Sequence, residues 1–215
     1  MSARPYDFSI IETMLWENGE YFLLGFHMER LEKSAAHFSF GLDRGAVETA
    51  LLNQASAFDP SKRYRSRLLL EKDGNFNMAS AILEDTPAFP VKAALSDIAV
   101  DKSDPLYRHK TTNRTLYDTE LAKYRGKGYF DVIFTNQDGD VTEGAITNVI
   151  IEKSGEYLTP PLSCGLLAGT YREYLLRSGE LPLKEKALRP EDLKNADNVF
   201  LVNSVRKTLK AEVDL

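Results

Sequence analysis

An α+β protein in two parts is what the sequence predicts, and three observations lead there. Apolar runs flank two-residue turn signals of the hairpin type at Asn18-Gly19, Asp73-Gly74 and Asp138-Gly139. Between the hairpins lie stretches whose apolar residues recur at helical spacing instead of alternating. A proline-bearing change of pace at residues 84–90, a short apolar strand at residues 91–100 and the polar run 101–105 then mark a junction. This places a small N-terminal part at residues 1–100, a linker at 101–106 and a larger C-terminal part at 107–215.

In chain order, residues 8–15 (FSIIETML) read as a strand and residues 21–24 as its return across Asn18-Gly19. Residues 27–38 carry Met28, Leu31, Ala35 and Phe38 on one helical face, with Glu29, Arg30, Glu32 and Lys33 on the other. A second amphipathic helix spans residues 46–58 and stops at Asp59-Pro60, where proline cannot continue the ladder. In residues 63–70 the period of two puts Arg63, Arg65, Arg67 and Leu69 on one face and Tyr64, Ser66, Leu68 and Leu70 on the other. Residues 76–83 complete that hairpin. Residues 115–125 are helical up to Gly126, residues 131–136 form an apolar strand, and residues 141–152 form the strand after Asp138-Gly139. Residues 171–178 form a helix and residues 199–203 a last apolar strand.

Composition narrows the function classes. With 215 residues the chain can bury a large core, and its net charge of −5 is made of interspersed acids and bases. No basic stripe points to nucleic acid. A single cysteine, Cys164, cannot form an internal disulfide, and no Cys-x-x-Cys or His-x-x-x-His pair offers metal-ligand spacing. A reducing, cytosolic setting is the expectation. Residues 1–7 lack the charged and apolar regions of a signal peptide, and no run of about 18 apolar residues is present to span a membrane.

The chemistry gathers in the second half. Tyr107-Arg108-His109-Lys110-Thr111-Thr112-Asn113-Arg114 sets a lysine among hydroxyls and cations. A lysine amine acts as nucleophile only in its neutral form, which neighbouring positive charge favours, and His109, Arg108 and Arg114 are candidates to supply it. The alternative is a solvated basic turn. In Val141-Thr142-Glu143-Gly144-Ala145-Ile146-Thr147-Asn148 a carboxylate stands among small residues, room enough for an acid to meet a flat heteroaromatic ring edge-on, or else simply the mouth of a hairpin. Gly169-Thr170-Tyr171-Arg172 leads into a helix whose first amides, with the Thr170 hydroxyl, suit an anion. Asn203-Ser204 offers an amide and a hydroxyl at a strand end. Arg65 and Arg67 stack cations along one strand face, which suits a bound carboxylate as well as it suits an exposed surface. An amine, an acid, a glycine-led helix start and an arginine are together what pyridoxal 5'-phosphate needs for its aldehyde, ring nitrogen and phosphate.

Over nearly its whole length the chain resembles the class IV aminotransferases, the fold type IV pyridoxal-phosphate family. His27-x-x-Arg30-Leu31 is similar to the family's phosphate-binding arginine motif, Lys110 to its cofactor-anchoring lysine, and Thr142-Glu143-Gly144 with Asn148 to its ring-nitrogen acid motif. Gly169-Thr170-Tyr171-Arg172 resembles its phosphate-binding glycine turn, although Tyr171 stands where threonine is common. The resemblance implies a small N-terminal α/β domain, a larger C-terminal domain with a barrel-like sheet, the cofactor held by Arg30, Lys110, Glu143, Asn148, Gly169, Thr170, Tyr171, Asn203 and Ser204, and a homodimer. The chain begins about where the family's first long strand ends, which bears on how the substrate pocket closes. Within the family, residues 109–114 and 203–206 are most similar to the aminodeoxychorismate lyases. That implies release of pyruvate from 4-amino-4-deoxychorismate to give 4-aminobenzoate, with Arg65 or Arg67 on a substrate carboxylate. A branched-chain or D-amino-acid aminotransferase of the same family is the second expectation, and a cofactor-free binding protein the third.

Overall fold

The computed structural model describes residues 8–83 and 89–215. The expectations at residues 1–7 and at 84–88 lie outside the described residues. Two compact units are present: Met1–Asp85 with His109–Asn113, and Thr86–Arg108 with Arg114–Leu215.

The first unit is a four-stranded sheet in the order β2-β1-β3-β4, all pairs antiparallel, with two helices. Strand β1 (Ile10–Glu17) turns through Asn18 and Gly19, both at positive φ, into the two-residue β2 (Glu20–Tyr21). Helix α1 (Leu24–Phe38) begins three residues before the expected start and absorbs Leu24, which the sequence placed in a strand. Leu23 is left-handed there (φ 57) with no side-chain cap, so the helix start is set by packing and not by a capping residue. The buried stripe is the expected one, with Met28, Leu31, Ala35 and Phe38 inside. Helix α2 (Arg44–Ala55) is capped by Asp43, whose side chain accepts from the Ala46 amide at 3.0 Å, and it ends three residues short of the expected stop. Strands β3 (Tyr64–Leu70) and β4 (Phe76–Ile82) form the second hairpin. In β3 the period of two holds: Ser66, Leu68 and Leu70 are buried, Arg65 and Arg67 exposed.

The second unit is an eight-stranded mixed sheet in the order β10-β9-β8-β11-β12-β5-β6-β7, curled so that β7 also adjoins β8. Its strands are β5 (Val91–Val100), β6 (Asp131–Asn136), β7 (Val141–Gly144), β8 (Asn148–Lys153), β9 (Glu156–Thr159), β10 (Leu183–Glu185), β11 (Asn198–Asn203) and β12 (Lys207–Asp214). Helices α3 (Thr115–Arg125), α4 (Thr170–Ser178) and α5 (Pro190–Lys194) complete it. Strand β5, placed by the sequence in the N-terminal part, runs parallel to both β6 and β12 and so belongs to this sheet. The division accordingly falls before β5 rather than at 101–106, and His109–Asn113 return to the first unit. A parallel pair needs a distant partner, which local turn signals do not reveal.

Alternation along β8 shows why its apolar run is unbroken. Val149 and Ile151 enter a core with Ile133, Leu201 and Leu209, while Ile150 faces the other way and packs under α4 with Leu175, Leu183 and Val202. Both faces are covered, so both parities are apolar. Burying each such side chain contributes roughly 1.5–3 kcal/mol. Helix α3 covers the sheet where Tyr117 and Leu121 meet Val132 and Phe134. Among the described residues no helix is long and apolar enough to cross a membrane, and no group of three or more His, Cys, Asp or Glu side chains is placed to hold a metal.

Candidate functional site

In the first unit the predicted residues Arg30 and Lys110 share surroundings that centre on Glu12. The segment carrying Lys110 lies along β1 as an extra bridge: Ile11 N–H donates to the Lys110 carbonyl at 2.7 Å, Thr112 N–H donates to the Ser9 carbonyl at 2.9 Å, and Thr111 bridges Ile10. Strand β2 pairs only with Trp16 and Glu17. That leaves the start of β1 open on this edge, and the lysine segment fills it.

Glu12 is fully buried in β1. Its carboxylate accepts a bidentate pair from Arg30, Nε at 2.9 Å and Nη2 at 2.7 Å, and lies 2.6 Å from Nδ1 of His27. Burial alone would raise the Glu12 pKa, but the Arg30 and His27 charges and hydrogen bonds outweigh it and hold it at about 2. Burial lowers the pKa of His27; Glu12 opposes this, while Arg30 and Lys110 push it down further. The sequence set Arg30 on a charged helical face with Glu29 and Glu32; its side chain meets the buried Glu12 and is 12% exposed. His109, expected to press on Lys110, lies 2.9 Å from the Ser34 hydroxyl through Nδ1 and stacks on His37 at 4.5 Å. Arg114, in the other unit, donates to Asp118 and to the Ala145 carbonyl. Arg65 and Arg67 do not join the Glu12 cluster, because they pair across from Leu15 and Thr13 on the opposite face of the sheet.

In the second unit Glu143, Asn148 and Gly169 come together directly. Glu143, at the end of β7 and 5% exposed, accepts from the Tyr117 hydroxyl at 3.1 Å, the Leu167 amide at 3.1 Å and Asn148 Nδ2 at 3.3 Å. Three converging donors suit a carboxylate, which only accepts. Asn148 Nδ2 also donates to the Leu167 carbonyl at 3.0 Å. A Cβ at Gly169 would fall inside the Asn148 side-chain oxygen, so only glycine allows this approach. Gly169 precedes α4, with Thr170 buried as its first residue. The expected single strand at 141–152 is broken: residues 145–147 leave the ladder between β7 and β8. Asn203 Nδ2 donates to the Ile146 carbonyl in that break at 3.2 Å, and its Oδ1 accepts from the amides of Val205 and Arg206. Ser204 beside it is buried. The Tyr171 hydroxyl accepts from the Thr208 hydroxyl at 3.4 Å.

Sequence reasoning missed Glu12, Tyr117 and Asp131. Glu12 did carry a signal, as a lone acid in the apolar run IIETML. Buried Asp131, at the start of β6, accepts from Thr147 Oγ1 at 2.6 Å and from the amides of Val132 and Ile146, and burial raises its pKa to about 6 against those hydrogen bonds.

Taken unit by unit, the chemistry suits pyridoxal 5'-phosphate: the first unit offers an amine and a guanidinium, and the second a buried carboxylate that accepts from Tyr117, Leu167 and Asn148 beside a helix start. The family model described as "Amino-transferase class IV" matches residues 9–211. A Schizosaccharomyces pombe protein named "Putative aminodeoxychorismate lyase" is 31% identical over 212 residues, covering 94% of this chain and 88% of that one. The D-alanine aminotransferase of Bacillus licheniformis is 27% identical, over 96% of this chain and 79% of its own. A solved Mesorhizobium loti structure, "Putative amino-acid aminotransferase", superposes with a TM-score of 0.89 at 32% identity, over 96% of this chain and all of that one. The curled sheet and the smaller unit are thus the fold type IV architecture, and the chain belongs to the class IV aminotransferases, enzymes that work with pyridoxal 5'-phosphate.

Proposed function

We propose that this enzyme is a lyase that converts 4-amino-4-deoxychorismate to 4-aminobenzoate and pyruvate, a step toward a folate precursor, and that it works as a homodimer in the cytosol. Glu143 carries the cofactor part of this reading, which the lyase shares with the aminotransferases. A carboxylate kept 5% exposed and fed by Tyr117, Leu167 and Asn148 has a function best met by a protonated ring nitrogen. The likeness of residues 109–114 and 203–206 to the lyases, and the Schizosaccharomyces pombe relative, support elimination over transamination.

When bound, the cofactor supplies an aldehyde that links to amines and a ring that takes up electron density. The residues do the rest. Lys110 would anchor it, and its Nζ, when free, would take the proton from the substrate carbon that bears nitrogen. Breaking the bond to the enolpyruvyl oxygen would then aromatise the substrate ring, and Lys110 would return the proton to the departing enolpyruvate to give pyruvate, so no second substrate is consumed. Glu143 favours the protonated ring nitrogen, with Asn148 holding the acid in place. Arg30, the helix start at Gly169, Thr170 and Tyr171, and Ser204 bind the phosphate; Asn203 supports that side of the site. Arg65 or Arg67 takes a substrate carboxylate, so replacing it with alanine raises KM more than it lowers kcat.

A transaminase is the second reading, favoured by the Bacillus licheniformis D-alanine aminotransferase, because the residues that handle the cofactor serve both reactions. The test supplies purified enzyme with aminodeoxychorismate alone and, separately, with an amino acid plus 2-oxoglutarate. Aminobenzoate without a second substrate is expected; glutamate formation alone overturns the lyase assignment. Lys110→Ala lowers turnover by more than about 10⁴-fold in either reaction, since anchor and base are lost together.

A further inference from the structure

Residues 145–147, the break between β7 and β8, separate Glu143 from Asn148, and three side chains from elsewhere converge on this break. Arg114 Nη2 donates to the Ala145 carbonyl at 2.8 Å, Asn203 Nδ2 donates to the Ile146 carbonyl at 3.2 Å, and Asp131 accepts from both Ile146 N–H, at 3.3 Å, and Thr147 Oγ1, at 2.6 Å. Backbone bonds close it further, from Gly144 N–H to the Thr147 carbonyl and from Ala145 N–H to the Val132 carbonyl. A Cβ on Gly144 would collide with the Asp131 carboxylate and the Thr147 hydroxyl, so the acid is pressed against the backbone of the residue next to Glu143.

The arrangement calls for an acid at position 131. Two donors converge on Oδ2 while Val132 N–H occupies Oδ1 at 2.8 Å. An asparagine has one acceptor oxygen, and in either orientation its NH₂ group would confront a backbone N–H, that of Ile146 or that of Val132. Arg125 is the cation whose charge reaches Asp131, and it acts weakly beside the burial. A fully buried carboxylate held chiefly by neutral donors is a costly way to shape a turn, which points to a role beyond stability.

We infer that Asp131 is a positioning residue for the Glu143–Asn148 pair: by fixing the turn between them it sets where the Glu143 carboxylate sits. The inference rests on the role proposed for Glu143. Asp131 touches neither cofactor nor substrate in this account, and its effect passes through the turn.

The test titrates pyridoxal 5'-phosphate into the cofactor-stripped enzyme and follows fluorescence, for wild type, E143Q, D131N, T147V and D131N/E143Q, with circular dichroism to check that each is folded. Outer partners of ligating groups typically change affinity by about 10–100-fold. Asp131→Asn is expected to weaken cofactor binding by about tenfold and Thr147→Val, which removes the same contact from the other side, by a similar factor. In the E143Q background the D131N change should add less than about twofold, because the group it positions is already gone. Full multiplication of the two losses, or folded D131N and T147V proteins that bind like wild type, overturns the inference. If E143Q itself binds like wild type, the proposed role of Glu143 fails first and this inference falls with it, a pattern distinct from the other two.

Discussion

Glu12 in the four-stranded sheet and Asp131 in the eight-stranded sheet are both fully buried carboxylates on strands, yet burial leaves them in opposite conditions. Glu12 meets the guanidinium of Arg30 and the ring of His27, and its pKa falls from 4.5 to about 2. Asp131 meets a hydroxyl and two backbone amides, and its pKa rises from 3.8 to about 6. Desolvation is the largest influence on each, and the nature of the partner decides whether it wins. Cations in contact overcome it, whereas neutral donors only reduce it. The first arrangement anchors the cation proposed to meet the phosphate; the second shapes backbone near the acid proposed to meet the ring nitrogen.

The largest expected effect comes from breaking the charged half. Glu12→Gln keeps the shape but leaves Arg30 and His27 without their anion, and chemical denaturation should show a loss of about 3–5 kcal/mol at neutral pH. A loss under about 1 kcal/mol would mean that the pair is not coupled as described.

Next comes the pH dependence, where the two acids differ in sign. The depressed pKa of Glu12 stabilises the fold above pH 4.5 and that contribution is lost as pH falls through about 2; the span corresponds to roughly 3 kcal/mol. The raised pKa of Asp131 favours the fold below pH 3.8, and that advantage is lost as pH rises through about 6, again roughly 3 kcal/mol. Stability measured between pH 3 and 7 should therefore show the Glu12→Gln penalty growing with pH. The Asp131→Asn penalty should shrink over the same range. Parallel curves for the two variants would erase the distinction.

Gly144→Ala sharpens the Asp131 half by crowding its carboxylate, at an expected cost of about 1–3 kcal/mol in thermal unfolding, relieved in part when Asp131 is also shortened to alanine. The smallest effect is that of Tyr117→Phe, which removes one donor to Glu143 and should cost about 1 kcal/mol in chemical denaturation. A cost as large as that of Glu12→Gln would show that Glu143 depends on a single partner.

Legibility in the sequence followed the range of the interaction. Helix α3 and strand β6 were read with the bounds they have, since a helical repeat ending before Gly126 and a short apolar run are local signals. The start of α1 was not legible, because Leu23 carries no capping group and the leucine pair reads as strand. Strand β5 was assigned to the wrong side of the junction because its partners β6 and β12 lie far along the chain. Lys110, Arg30, Glu143, Asn148 and Gly169, the residues proposed to hold the cofactor, stand out by motif. Their supports do not: Glu12 is 18 residues from Arg30, Tyr117 is 26 from Glu143 and Asp131 is 16 from Thr147, and only folding brings each pair together. The break at 145–147 escaped for the same reason, since the acid that shapes it sits on another strand.

The central claim is that the Lys110 amine anchors the cofactor. Borohydride reduction of the cofactor-saturated enzyme, followed by peptide mass spectrometry, tests it directly. The account predicts that the added mass of reduced pyridoxal phosphate sits on the peptide containing Lys110; an unmodified Lys110, with the label on another lysine or on none, would contradict it.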